Sequence, residues 1–128
     1  MKKIDTSLDF IEFNNMVKQK HGDFYTKQVD LFFERAMINS QNKLYHSAIQ
    51  DCKFALSLNE FSSNPINKHY IIGYISQLYC DLNQMNNAMY YYQLGINLLE
   101  PICDNYKNDL KLYNNLREHI DFESWKMA

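Results

Sequence analysis

The chain has 128 residues, about one domain, and its 46% hydrophobic and 22% charged residues are typical of a globular protein. Its net charge of −2 provides no field that would gather DNA, RNA or anionic lipid, so we expect neither nucleic-acid nor membrane binding. With only three Gly and two Pro, the sequence favours long helices over a sheet with many turns.

The cysteines indicate a reducing compartment. Cys52, Cys80 and Cys103 are odd in number, lie far apart and form no C-x-x-C pair, which is not the pattern of a disulfide framework. The N-terminal sequence lacks the apolar stretch of a secretory signal, and no run reaches the roughly 18 apolar residues of a membrane span. We therefore expect a cytoplasmic protein.

The first helix is predicted over residues 6–21. Thr6 and Asp9 fit the spacing of a capping box, in which each side chain satisfies an unpaired backbone N–H group. Phe13 and Val17 then recur at helical spacing.

A helical hairpin is predicted over residues 24–60. Its helices run from about Phe24 to Gln41 and from about Tyr45 to Leu58, and the polar residues between them indicate a short turn. Because the turn is short, the two helices are expected to be antiparallel.

A second hairpin is predicted over residues 65–100. Asn64 can cap its first helix, and Pro65 suits the first helical position because the N–H group there has no helical partner. A turn at Asn83 leads into a helix from about Met85 to Leu99.

Three adjacent tyrosines lie in this last helix, so one or two of them must point outwards. Tyr92 is assigned to the core, and burial of Tyr90 or Tyr91 against the C-terminal helix is favoured over exposure.

The C-terminal region is predicted to form a capping helix over residues 102–121. Pro101 ends the preceding helix, and apolar residues from Ile102 to Ile120 then follow a single stripe of an amphipathic helix. The tail after it, with Phe122 and Trp125, is expected to be loose unless Trp125 packs back on the domain.

The two hairpins repeat with a period of 40 residues when Ala48 is aligned with Ala88. Small residues recur in both, as expected where two helices cross so closely that no larger side chain fits. They are Ala36, Ala48 and Ala55 in the first hairpin, and Ser76, Ala88 and Gly95 in the second.

These hairpins resemble the tetratricopeptide (TPR) repeat family, a helix pair with small residues in mid-helix. The residues that carry the resemblance are Tyr45-His46-Ser47-Ala48 through Ala55-Leu56-Ser57-Leu58, and Met85-Asn86-Asn87-Ala88 through Gly95-Ile96-Asn97-Leu98. The resemblance implies an all-α fold in which antiparallel helix hairpins stack as a short TPR-like α-solenoid of about six helices, one domain over residues 1–128. Arg35 and Asn39 depart from the family, which prefers apolar groups there.

The resemblance also implies a groove, lined by the first helix of each hairpin, that binds a peptide or a partner protein. Tyrosine and methionine suit such a surface because they offer large contact areas. The alternative for Phe33 and Met37 is packing against the N-terminal helix. The partner-binding residues implied by the resemblance are Asp30, Phe33, Glu34, Met37 and Gln41, with Tyr70, Tyr74, Gln77, Cys80 and Asp81.

No catalytic, metal or cofactor motif is recognisable. The histidines form no His-x-x-x-His pair, the glycines form no phosphate-binding loop, and His119-x-Asp121 near a helix end is more simply a favourable charge. A hidden hydrolase or transferase site would have to gather residues such as His69, Cys80 and Asp81. We therefore expect no enzymatic activity and no cofactor.

The sequence thus predicts a non-enzymatic protein-interaction module. The alternative is a dedicated inhibitor, such as a bacterial immunity or antitoxin-type protein that blocks the active site of a toxin or enzyme. An acidic patch suits an inhibitor of a basic active site, and Asp30, Glu34 and Asp81 could contribute to one.

Overall fold

The computed structural model describes residues 8–22, 29–59 and 67–127, and the chain divides into two compact units, Met1–Ile66 and Asn67–Ala128. In these ranges all regular structure is helical, with six α-helices and no strand, which confirms the all-α prediction. The first unit contains α1 (Phe10–His21), α2 (Val29–Gln41) and α3 (Tyr45–Leu58). The second contains α4 (Lys68–Asp81), α5 (Met85–Leu99), a 3-10 segment (Glu100–Asn105) and α6 (Lys107–Met127).

Helix α1 begins later than predicted, because Asp9 and not Thr6 is its N-cap. The Asp9 side chain accepts a hydrogen bond from the Glu12 amide at 2.8 Å, and its own backbone is extended, with ψ 175°. Thr6 lies outside the described residues. Gly22, with φ 55°, ends the helix as expected.

The turns inside the two hairpins have the same geometry, one 40 residues after the other. Lys43 and Asn83 both take left-handed backbone, with φ 63° and 59°. The next amide, of Leu44 or Gln84, donates to the carbonyl five residues earlier at 2.8 or 2.9 Å. These bonds close the end of the first helix and direct the chain into the second, so the predicted period is confirmed in the backbone.

Small residues lie where the helices of each hairpin cross. Ala36, Ala48 and Ala55 are fully buried in the first hairpin, as are Ser76 and Ala88 in the second. The Ser76 hydroxyl donates to the Ala88 carbonyl at 2.7 Å, which places those two helices in direct contact. The antiparallel helix hairpins predicted from the small residues are therefore confirmed in each unit.

Two predicted helix starts are wrong by a few residues. Helix α4 begins at Lys68 because Asn67, with ψ 123°, is not helical; Asn64 and Pro65, where the start was predicted, lie outside the described residues. Helix α6 begins at Lys107 and not at Ile102. Pro101 has no N–H group and its ring displaces the carbonyl four residues earlier, so the chain continues as a 3-10 segment.

Helix α6 also extends further than predicted. Its backbone is helical to Met127, whereas the prediction ended the helix at residue 121 and left a loose tail after it. Tyr113, Leu116 and Ile120 of the predicted apolar stripe are buried, and the helical backbone continues beyond that stripe. None of the helices in the described ranges combines the length and apolar character needed to cross a membrane.

The core of the first unit is a group of phenylalanines that joins α1 to the hairpin. Phe13 contacts Phe32 of α2 with ring centroids 5.2 Å apart, and Phe10 contacts Phe54 of α3 at 5.1 Å. Phe32 and Phe54 meet each other at 4.7 Å. Edge-to-face contacts of this kind add to the hydrophobic burial that holds α1 on the hairpin.

The core of the second unit is organised around Tyr113 of α6. Its buried ring fits between Gly73 and Gly95, and its hydroxyl donates to the backbone carbonyl of His69. A Cβ atom on Gly95 would lie 2.6 Å from Cζ of Tyr113, closer than real Cβ atoms approach any carbon. The small residue at 95, which the sequence assigned to the α4–α5 crossing, therefore accommodates α6.

Candidate functional site

The predicted face of α4 forms a stripe along one side of that helix. Tyr70, Tyr74 and Gln77 are half-buried and Asp81 is exposed, at spacings that keep all four on one face. The Gln77 amide donates to the Asp81 carboxylate at 3.2 Å. Cys80, also assigned to this face, is only 4% exposed and offers a partner little area.

The predicted face of α2 is more acidic. Asp30, Glu34 and Gln41 are exposed, and Met37 is half-buried between them. Phe33 is buried, so it contributes to the core of its unit and hardly to a surface. The stripe therefore presents two carboxylates about one helical turn apart, with a methionine on the next turn.

The two faces consist of the same positions of the repeat. Adding 40 to 30, 34, 37 and 41 gives 70, 74, 77 and 81, and none of the eight side chains is buried. The repeat thus presents one set of surface positions twice, with acids on α2 where α4 has tyrosines. That both faces line a single groove stays a prediction.

A buried ion pair occupies the centre of the first hairpin. Arg35 Nη1 lies 3.0 Å from the Asp51 carboxylate, whose other oxygen accepts a hydrogen bond from the Asn39 amide at 3.0 Å. Arg35 also donates to the Leu8 carbonyl and stacks 4.6 Å from the ring centroid of Phe13. One side chain of α2 therefore connects α3, α1 and the segment before α1.

Burial raises the pKa of Asp51 to about 6, although the Arg35 guanidinium and the Asn39 amide both favour the charged form. The neighbouring Cys52 thiol is also buried, and burial raises its pKa, with the Asp51 charge adding to the effect. Neither group reaches a surface, so the cluster can organise the unit but cannot meet a substrate.

A second polar pair lies in the other unit. Nε2 of the buried His69 is 2.7 Å from the Asp109 carboxylate of α6, and the Tyr106 ring lies 4.9 Å from the imidazole. His69 and Cys80 are eleven residues apart on α4, about 16 Å along the helix axis. The constellation of His69, Cys80 and Asp81 that a hidden enzyme would need is therefore not formed.

No group of three or more potential metal-binding side chains occurs in the parts of the chain that the structure describes. His119 and Asp121 lie exposed on α6. Their interpretation as charges near a helix end is wrong, because α6 continues to Met127.

The three adjacent tyrosines are arranged differently from the prediction. Tyr92 contacts the C-terminal helix, with its ring centroid 5.8 Å from that of Tyr113, and Tyr91 stacks on Tyr79 at 5.6 Å. Tyr90 is 63% exposed. The favoured burial of Tyr90 or Tyr91 against α6 is therefore wrong, because the rotation of α5 directs Tyr92 there.

Sequence reasoning missed the outer surface of α5. Four of its large apolar side chains are exposed to a substantial degree: Met89, Tyr90, Leu94 and Leu98. Beside them, an open groove of about 300 Å³ between α5 and α6 has an apolar floor that includes Ile96 and a charged rim. The signal was present in the sequence, since α5 has no charged residue over 15 positions.

Comparison of the chain with protein-family models, with curated proteins and with solved structures finds no match. The internal repeat is then the most informative reference, because each hairpin shows how the other uses an equivalent position. Membership of the TPR family stays a prediction.

Proposed function

We propose that this protein is a non-enzymatic, TPR-like protein-interaction module that binds a peptide or partner protein through the first helices of its hairpins. The observation that carries the proposal is the repeated set of surface positions on α2 and α4. In proteins built of stacked helix pairs, equivalent positions of successive repeats form an extended binding surface. The free thiols of Cys52 and Cys80 support a reducing compartment, so we place the protein in the cytoplasm.

The chemistry of the two faces defines the kind of partner. Tyr70 and Tyr74 offer broad, partly apolar contact areas with a polar end, which are properties of residues that dominate binding energy. Asp30 and Glu34 add negative charge on the equivalent positions of α2. The α4 face therefore suits apolar side chains of a ligand, and the α2 face suits Lys or Arg.

The test compares variants of the two faces in the full chain. Tyr70→Ser with Tyr74→Ser changes the α4 face, and Asp30→Lys with Glu34→Lys changes the α2 face. Each variant is immobilised, and the proteins it retains from native extract are quantified against the unmodified chain. We expect each double variant to retain a specific partner at least about tenfold less well, the effect of losing roughly 1.4 kcal/mol of binding energy.

The matched control is Gln50→Lys, which changes an exposed residue of α3 outside both faces. It should retain the partner normally, and the melting temperature of every variant should stay near that of the unmodified chain. Equal retention by the face variants would contradict the proposal, as would loss of the partner with Gln50→Lys.

The second candidate is an inhibitor, and the observation that favours it is the exposed pair Asp30 and Glu34 on one face of α2. Two carboxylates one turn apart could occupy a basic active site. If the retained partner is an enzyme, its activity is measured with and without the chain. Activity that falls with the chain and returns with Asp30→Lys and Glu34→Lys favours the inhibitor, and unchanged activity favours the adaptor.

A further inference from the structure

The outer face of α5 has an apolar stripe that is largely exposed. Tyr90, Leu94 and Leu98 follow one another at four-residue spacing and are 63%, 40% and 42% exposed. Side chains four apart lie one above the other on a helix, so the three form a ridge about 12 Å long. This ridge is separate from the α2 and α4 faces of the proposed function.

The internal repeat shows which kind of element covers these positions. Positions 94 and 98 correspond to Phe54 and Leu58 of α3. Leu58 is buried, and the Phe54 ring is covered by Phe10 of α1, with centroids 5.1 Å apart. A helix is therefore what packs on this part of the first hairpin, and the equivalent part of the second hairpin is exposed.

The absence of charged residues from α5 indicates which kind of helix would pack on the ridge. Of the six described helices, α5 is the one without Asp, Glu, Lys or Arg, and Asn and Gln flank its ridge. Charged side chains on a partner helix would lose part of their hydration when they pack against such a face. A second copy of α5 has no charged side chain, so no charge would be dehydrated. In a two-fold pair the residue on the axis meets its own copy, and any other residue i meets residue j while j meets i. A face without charges therefore brings no like charges together in such a pair.

The exposed tyrosine is the outermost ring of three neighbouring tyrosines. The Tyr90 ring meets Tyr91 edge-on, with centroids 5.1 Å apart, and Tyr91 stacks on the buried Tyr79 at 5.6 Å. A tyrosine side chain has only two torsions and loses little conformational entropy when it becomes part of an interface, which favours association.

We propose that two copies of this chain associate through α5, with Leu94 of one copy facing Leu94 of the other across a two-fold axis. Tyr90 then packs against Leu98 of the second copy, because an antiparallel crossing pairs residues on opposite sides of the centre. Ridges at four-residue spacing interdigitate well when two helices cross. Helix α5 is about 22 Å long, and the surface area that one helix face of this length can bury is smaller than that of a standard protein interface. We therefore expect a weak dimer with a Kd in the micromolar range or above.

The experiment measures sedimentation equilibrium of the full chain over a wide concentration range, for the unmodified protein and for Leu94→Lys and Leu94→Glu. The unmodified chain should dimerise with rising concentration. Each single variant should raise the Kd at least about tenfold, since two like charges would meet at the axis. An equimolar mixture of the two variants should dimerise again, because Lys then faces Glu.

The control is Gln50→Lys, at the α3 position equivalent to Tyr90, and it should dimerise like the unmodified chain. Circular dichroism confirms that each variant keeps its helical content. A monomeric unmodified chain at all concentrations would overturn the proposal, and so would dimerisation that Leu94→Lys leaves unchanged. A mixture that stays monomeric would overturn the two-fold arrangement, and α5 covered by a different protein in extract would assign the face to that protein.

Discussion

The two hairpins share a backbone but differ in the chemistry of their centres. The centre of the first hairpin is a buried polar cluster of Arg35, Asn39 and Asp51. The positions 40 residues later in the second hairpin are apolar or aromatic: Ile75, Tyr79 and Tyr91. Where the Asn39 amide bonds the Asp51 carboxylate at 3.0 Å, Tyr79 stacks on Tyr91 at 5.6 Å. The turn and the small crossing residues define the hairpin, and the centre tolerates very different fillings.

The centres differ because the helices that cover the two hairpins differ. In the first unit Arg35 reaches beyond the hairpin to the Leu8 carbonyl and the Phe13 ring. In the second unit α6 packs its Tyr113 between Gly73 and Gly95, and the Tyr113 hydroxyl donates to the His69 carbonyl. Asp109 of α6 also pairs with the His69 ring at 2.7 Å. In each unit one long side chain with a polar end, Arg35 or Tyr113, contributes to the contact between the hairpin and its additional helix.

The largest expected change in stability comes from replacing Arg35 of the first hairpin by isoleucine, the residue at the equivalent position 75 of the second. Arg35→Ile leaves the Asp51 carboxylate buried beside Asn39 without its cation, so we expect a loss of about 3 to 5 kcal/mol in the free energy of unfolding. Urea denaturation measures it. The control Ile75→Val, at the equivalent position, should cost about 1 kcal/mol. If Arg35→Ile lost less stability than Ile75→Val, the ion pair between Arg35 and Asp51 would not be a major source of stability in the first hairpin.

A double variant separates the effect of the buried charge from that of the other Arg35 contacts. Arg35→Ile with Asp51→Leu removes both charges, so its loss in the free energy of unfolding should be smaller than that of Arg35→Ile alone. A double variant that is less stable than the single one would show that Arg35 matters mainly for its contacts with Leu8 and Phe13.

The next effect concerns the position where α6 packs. Gly95→Ala places a methyl group against the Tyr113 ring, and we expect a loss of about 2 to 3 kcal/mol, measured by thermal denaturation. The reverse change at the equivalent position, Ala55→Gly, should cost only about 1 kcal/mol, mainly from helix propensity. Adding Tyr113→Leu to Gly95→Ala should cost less than the sum of the two single losses. Strict additivity would argue against the contact.

The buried carboxylate of Asp51 predicts a pH dependence of the stability of the chain. Burial raises the pKa of Asp51 from 3.8 to about 6, so the folded state binds its proton more readily than the unfolded state. The resulting stabilisation is fully present below pH 3.8 and is lost as the pH rises through 6. The free energy of unfolding of the unmodified chain, minus that of Asp51→Asn, should therefore fall by roughly 2 kcal/mol between pH 4 and pH 7. A difference that rises with pH would mean that the Arg35 charge outweighs burial.

The smallest effect is expected in the turns. Lys43 and Asn83 both have left-handed backbone, which costs a lysine more than an asparagine. Lys43→Gly should therefore stabilise the chain by up to about 1 kcal/mol, and Asn83→Gly by less, as seen in their melting temperatures. A destabilising Lys43→Gly would indicate that the lysine side chain has a role beyond the turn.

The fold was readable from the sequence where local chemistry decides it. The bounds of α3 and α5 were predicted correctly, because polar turns lie before both helices and small residues recur within them. The starts of α4 and α6 were misplaced, since a proline can open a helix or interrupt one, and local sequence does not distinguish the two cases. The predicted surface positions of α2 and α4 follow from helical spacing, but the burial of Phe33 and Cys80 does not.

Local sequence patterns specify the helices, the short turns and the 40-residue period, because spacing, capping and small side chains act within a few residues or within one hairpin. The pairing of Arg35 with Asp51, the packing of Tyr113 on Gly95 and the exposure of the α5 ridge follow from long-range packing and are visible only in the folded chain. These features depend on which helix covers each hairpin and at what rotation. Long-range packing determines both, and local residue patterns do not predict it.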